Sequence, residues 1–145
     1  MKDINVDIIF EVFNQGDEII YRNAGLEHVM DEDVILLNTA VRGIENYWKL
    51  DEIFSNKQGE RYEDIRMQVK IKYFNKMYGY LKKVSMRKLE PFFDTVGDLG
   101  YGTVENSLNE YLDHFIEVEE YEKCVIIHKL LNVVKKLYYP EMELV

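Results

Sequence analysis

The stretch 65-IRMQVKIKYFNKMYGYLKKVSMRKL-89 decides the fold, because two periodicities are written into it. Ile65, Met67, Val69, Ile71 and Tyr73 alternate with Arg66, Gln68, Lys70 and Lys72, the pattern of a half-buried strand. Tyr62, Ile65, Val69, Tyr73, Met77, Tyr80, Leu81 and Val84 trace one face of a helix through the same letters. The alternation ends at Phe74, whereas the helical series persists for about six turns. Length therefore decides for one long helix over about residues 60–85, and for a mostly α-helical bundle.

The same stretch holds Arg66, Lys70, Lys72, Lys76, Lys82, Lys83, Arg87 and Lys88 and no acidic residue, in a chain with 18 basic and 27 acidic residues and a net charge of −9. Without these cations the remainder stands at −17, ten cations against 27 acids. Cations interleaved with Tyr73, Phe74, Tyr78 and Tyr80 are the ingredients of a single-strand nucleic-acid surface. They equally describe a buried aromatic face whose solvated edge neutralises acidic neighbours such as Glu110, Asp113, Glu117, Glu119, Glu120 and Glu122. An overall negative charge disfavours non-specific contact with nucleic acid or anionic membrane, so only a local patch could make one. Lys82, Lys83, Arg87 and Lys88, near the expected helix end and before Pro91, are the candidate anion-binding group. Glu117, Glu119, Glu120 and Glu122 are the candidate partner-binding group.

On the N-terminal side, residues 3–24 carry Ile4, Ile8, Ile9, Val12 and Phe13 at helical spacing, with Asp3 as N-cap and Gly16 as stop. The same letters also fit a small β-hairpin around Asn14-Gln15-Gly16-Asp17; the triple Ile8-Ile9-Phe10 breaks strict alternation and favours the helix. Asp31, Glu32 and Asp33 then stand where carboxylates favour a helix N-terminus. Leu37, Val41, Ile44 and Trp48 follow as one face, interrupted by Gly43, which marks a close helix contact. Ser55-Asn56-Lys57-Gln58-Gly59 reads as a polar loop.

On the C-terminal side, Pro91 starts or interrupts a short helix, and residues 94–102, with three glycines, read as the clearest loop. Two helices follow. Thr103 caps the first, whose face is Val104, Leu108, Tyr111, Leu112 and Phe115; Cys124, Ile127, Leu131, Val134 and Tyr138 form the face of the second. Pro140 and the acidic tail end it. The expected architecture is a single helical domain over residues 1–145 with five or six helices, apart from the N-terminal hairpin alternative.

Chemical machinery is sparse. Cys124 and His128 share one side of a helix, yet a metal site needs more ligands than these, and Cys124 lies on the apolar face. His114 and Glu117 show once, and in reverse order, the Glu-x-x-His spacing of paired di-iron sites. No phosphate loop, dinucleotide fingerprint, nucleophile elbow or zincin motif is present. No metal or cofactor is expected, and no catalytic residue is assigned.

The segment VEEYEKCVIIHKLLNVVKKL, from Val118, resembles the second half of a UVR-type helical hairpin, an interaction motif of excision-repair and protease-adaptor proteins. Tyr121-Glu122 matches its aromatic-Glu pair, Cys124-Val125 its small pair and Ile127 its leucine. His128 replaces the arginine, and Lys129 stands where an acidic residue is usual. The resemblance implies protein binding, not catalysis. The single cysteine fits a reducing compartment, no apolar run is long enough for a membrane span, and no signal-peptide pattern opens the chain. The expectation is a non-enzymatic cytoplasmic regulator, adaptor or inhibitor that binds a protein partner through charged helical faces. The alternative is an accessory protein of nucleic-acid metabolism, which either binds nucleic acid through 65–89 or mimics it with acidic faces.

Overall fold

Five helices pack against one, Glu32–Gln58, whose N-terminal half holds a turn enclosed on every side. The computed structural model describes residues 5–27 and 31–138, with the side chains of 26, 27 and 138 excepted. The elements are α1 (Val6–Glu27), α2 (Glu32–Gln58), α3 (Glu60–Glu63), α4 (Arg66–Leu81), α5 (Glu90–Leu99), α6 (Tyr101–Glu117) and α7 (Tyr121–Tyr138), with no strand among the described residues. In α2 every residue from Leu36 to Val41 is buried, more than a full turn, which is the signature of a helix enclosed by others. It packs against α1, α3, α4, α5 and α6, while α7 packs on α5 and α6. One cluster of buried side chains joins them, including Phe13, Leu37, Tyr62, Tyr73, Phe92, Tyr111, Phe115 and Ile127. None of the described helices is long and apolar enough to cross a membrane.

The N-terminal hairpin is overturned: α1 runs unbroken through Gly16. A Cβ at Gly16 would sit 2.7 Å from Asn46 Oδ1, so this glycine admits a neighbouring helix and does not stop its own. Asn5 opens α1 by accepting the Ile8 N–H at 3.0 Å. Asp3, Ile4, His28, Pro140 and the acidic tail lie outside the described residues, as does the Tyr138 side chain. On the expected face Ile9 and Phe13 are buried, while Ile8 and Val12 are exposed.

Asp31 caps α2 by accepting the Asp33 N–H at 2.9 Å, as the acidic triple indicated. The expected loop at 55–59 is helical up to Gln58. Only Gly59, at φ +54°, breaks the chain, because a polar run can stay helical when one face meets water. The central stretch is helical, not extended; of the face as read, Tyr62, Val69, Tyr73, Met77, Leu81 and Val84 are buried, while Ile65 and Tyr80 are half-buried. It divides at Asp64–Ile65, and α4 ends at Leu81, leaving residues 82–89 as an irregular linker.

The expected loop over 94–102 is also corrected. Pro91 lies in the first turn of α5, which continues to Leu99; Gly100, at φ +88°, makes the whole turn into α6. Thr103 therefore sits inside α6 and caps nothing. The division of the central helix into α3 and α4 raises the described helices to seven against the five or six expected.

Candidate functional site

The eight cations of the central stretch separate into three kinds. Arg66 closes a fork on Asp51 of α2, Nε to Oδ1 at 2.9 Å and Nη2 to Oδ2 at 2.5 Å, and also meets Glu63 at 2.5 Å. The Asp51 side chain is only 2% exposed and takes a further bond from the Tyr62 hydroxyl at 2.6 Å. Lys72 pairs with Asp7 at 2.9 Å, and Lys76 with the fully buried Asp17 at 3.0 Å, both acids on α1. Lys76 bonds Asn14 as well, and the Tyr80 hydroxyl donates to Asp17 Oδ2 at 3.2 Å. Burial raises the Asp17 pKa, and Lys76 and Tyr80 oppose that rise. Neutralisation of acidic helices is thus real, but the acids are Asp7, Asp17, Asp51 and Glu63, not those of 110–122.

Lys82, Lys83, Arg87 and Lys88 form the second kind. All four are exposed on or beside the irregular linker, and none has an ion pair among the described residues.

Lys70 is alone in the third. It makes no ion pair among the described residues; its ammonium lies 5.3 Å from the Phe74 ring centroid and 5.9 Å from that of Trp48. Trp48 was expected inside with Ile44, yet it is 44% exposed and its neighbour Tyr47 is buried instead. The indole N–H donates to Glu110 Oε2 on α6 at 2.5 Å, which fixes the ring across the gap between α2 and α6. Two clefts meet at Trp48 and Lys70. One, about 260 Å³, is also lined by Tyr47, Glu63, Arg66 and Met67. The other, about 250 Å³, is lined by Phe74, Glu110, Asp113, His114 and Glu117.

His114 closes the second cleft from inside the core. It is 2% exposed and packed against Phe74 and Phe115, with ring centroids 4.5 and 4.9 Å away. Neither ring nitrogen has a hydrogen-bond partner among the described residues. Burial, reinforced by Lys70, holds its pKa down at about 4, so the ring is neutral at pH 7.

The four predicted glutamates divide between two places. Glu117, on the last turn of α6, lines the Trp48 cleft. Glu119, Glu120 and Glu122 line another of about 320 Å³ at the α6–α7 turn, where Glu119 adopts φ +61°. Glu120 is tied to Lys123 at 2.5 Å, and Lys123 also bonds Asn75 Oδ1 at 2.6 Å. Cys124 is half-buried, its Sγ 3.6 Å from the Glu120 carbonyl, and burial pushes its thiol pKa up. Exposed His128 lies beside Asn132 at 3.4 Å. No three of His, Cys, Asp and Glu among the described residues converge to hold a metal ion.

Reading the chain by spacing passed over Trp48, named Lys70 only within the basic stretch and weighed His114 only as a metal ligand. The one signal for Trp48 was that it is the only tryptophan in the chain. No protein-family model, curated protein or solved structure matches the chain.

Proposed function

We propose that this chain is a non-enzymatic cytoplasmic interaction protein, a regulator or adaptor that binds a protein partner through the acidic face of α6 and the start of α7. One observation carries the reading. An exposed tryptophan, held by Glu110, stands at the junction of two clefts and beside Asp113 and Glu117. Tryptophan is enriched among the few residues that dominate interface energetics, and surrounding carboxylates steer a basic partner. The likeness of the α7 segment to a UVR-type hairpin points the same way, since that motif binds proteins. Affinity capture with quantitative mass spectrometry tests it. Partners retained by the wild type are expected to be lost when Glu117, Glu119, Glu120 and Glu122 are all changed to lysine, with the circular dichroism spectrum preserved. Retention of the same partners by that variant, or no partner above background, counts against the proposal.

A second reading, an accessory protein of nucleic-acid metabolism, is favoured by the exposed cations Lys82, Lys83, Arg87 and Lys88, which lack ion pairs among the described residues.

A further inference from the structure

The cleft of Trp48, Phe74, Glu110, Asp113, His114 and Glu117 is built for a cation, and the chain has put one of its own there. An ammonium over two aromatic faces is held by the ring quadrupoles, yet Lys70 meets none of the three carboxylates lining the same cleft within ion-pair distance. Asp113 and Glu117 are exposed and carry no partner among the described residues. A guanidinium would use all of these features together. Its plane stacks on an aromatic face, and its fork of five N–H donors spans paired acceptors as an ammonium cannot. The buried His114 ring lines the inner wall of the cleft with neither nitrogen hydrogen-bonded among the described residues, and, being neutral, it adds no positive charge there. Trp48 and Met67, 44% and 45% exposed on the adjoining cleft, offer apolar surface for the residues flanking such a side chain.

We propose that this cleft receives an arginine side chain of a partner polypeptide, and that Lys70 is a built-in competitor which swings out when the arginine enters. The inference rests on the interaction-protein reading and names the partner's chemistry. Trp48 is the only tryptophan, so its fluorescence reports the cleft directly.

The probe is a short Gly/Ser peptide with one arginine between two leucines, titrated against the intact chain. Its control carries citrulline, the neutral isostere, in place of arginine. The arginine peptide is expected to give a saturable fluorescence change, weakened about tenfold by the citrulline exchange, the order of a desolvated cation–aromatic contact. Lys70→Met is expected to tighten binding severalfold. Asp113→Asn with Glu117→Gln is expected to weaken it. Equal binding of the citrulline peptide, no saturable change in the millimolar range, or weaker binding by Lys70→Met overturns the proposal. A fluorescence change with protein concentration alone, matched by dimer formation in sedimentation, would assign the cleft to a second copy and overturn it too. Failures are separable: arginine binding without any captured partner removes the functional reading alone. A captured partner lost with the four glutamate reversals but indifferent to Asp113→Asn and to Lys70→Met removes the cleft proposal alone.

Discussion

At the scale of single residues, His114 and Asp17 are buried titratable groups that burial shifts, and they respond to acid in opposite senses. His114 is hemmed by Lys70 on α4 and by Lys123 and Glu120 at the start of α7. Glu110, Asp113 and Glu117 stand on its own helix, and Trp48 faces it from α2. Its pKa falls from 6.5 to about 4 on folding. Between those values the unfolded chain binds the proton and the native one does not. Stability is therefore full above pH 6.5, falls as pH drops toward 4, and is level below. The loss at this site is on the order of 3 kcal/mol. Asp17, with its pKa raised, works the other way, gaining stability as pH falls through its native value. The difference between wild type and His114→Phe isolates the histidine. Urea unfolding at pH 7 and pH 4.5 is expected to show a steeper loss in the wild type than in the variant; parallel losses would refute the assignment. Site residues of this kind were poorly legible in sequence. Trp48 and Tyr47 differ by one position, and it is Tyr47 that shares the buried face with Asp51, four residues on, where Tyr62 and Arg66 bond the carboxylate.

At the scale of elements, α2, α6 and α7 were legible as helices, and α4 as part of a longer one, because each carries apolar residues at helical spacing. What spacing could not show was the enclosed turn of α2, Leu36 to Val41, because it contains Asn38 and Thr39, which read as polar interruptions. Asn38 instead donates to Thr95 Oγ1 at 2.9 Å and to the Val34 carbonyl at 3.2 Å, and Thr39 donates to the Ile35 carbonyl at 2.7 Å. The Asn38–Thr95 bond and buried Phe92 dock α5, so a glycine-rich stretch that looked like loop is helix by tertiary contact. Gly43 was legible as a close approach, and it is one: a Cβ there would lie 2.7 Å from Met77 Sδ and 3.1 Å from the Tyr73 hydroxyl, which donates to the Gly43 carbonyl. Gly97 also lies in a helix, with nothing within 4 Å of such an atom. The two should diverge. Gly97→Ala is expected to stabilise by about 0.5–1 kcal/mol through helix propensity. Gly43→Ala is expected to destabilise by about 1–2 kcal/mol, overpacking outweighing the same gain. Thermal unfolding of the pair checks this, and stabilisation by Gly43→Ala would mean that α2 and α4 separate more readily than their contacts imply.

At the scale of the whole molecule, charge is distributed in a way that composition alone could not reveal. Arg66, Lys72 and Lys76 are tied to acids of α1, α2 and α3, so three of the eight cations of the basic stretch serve the fold. Lys82, Lys83, Arg87 and Lys88 are left on or beside the 82–89 linker, apart from the helix ladder and from any ion pair among the described residues. Their removal should therefore be almost silent for stability. Changing all four to glutamine is expected to shift unfolding by no more than about 0.5 kcal/mol per site. The same variant divides the two functional readings. A chain of net charge −9 repels a phosphate backbone except where these cations face it. Binding to single-stranded nucleic acid, if it occurred, would therefore depend on them and fall steeply with salt as counterions are released. The interaction-protein reading expects the opposite pattern. Wild type should show no sub-micromolar binding to a single-stranded oligonucleotide, and the glutamine variant should retain every captured partner. Fluorescence anisotropy with labelled DNA and RNA, at low and at physiological salt, reads the first half of that pattern. Tight, salt-sensitive binding abolished in the variant would move the function from the acidic face of α6 to the basic linker.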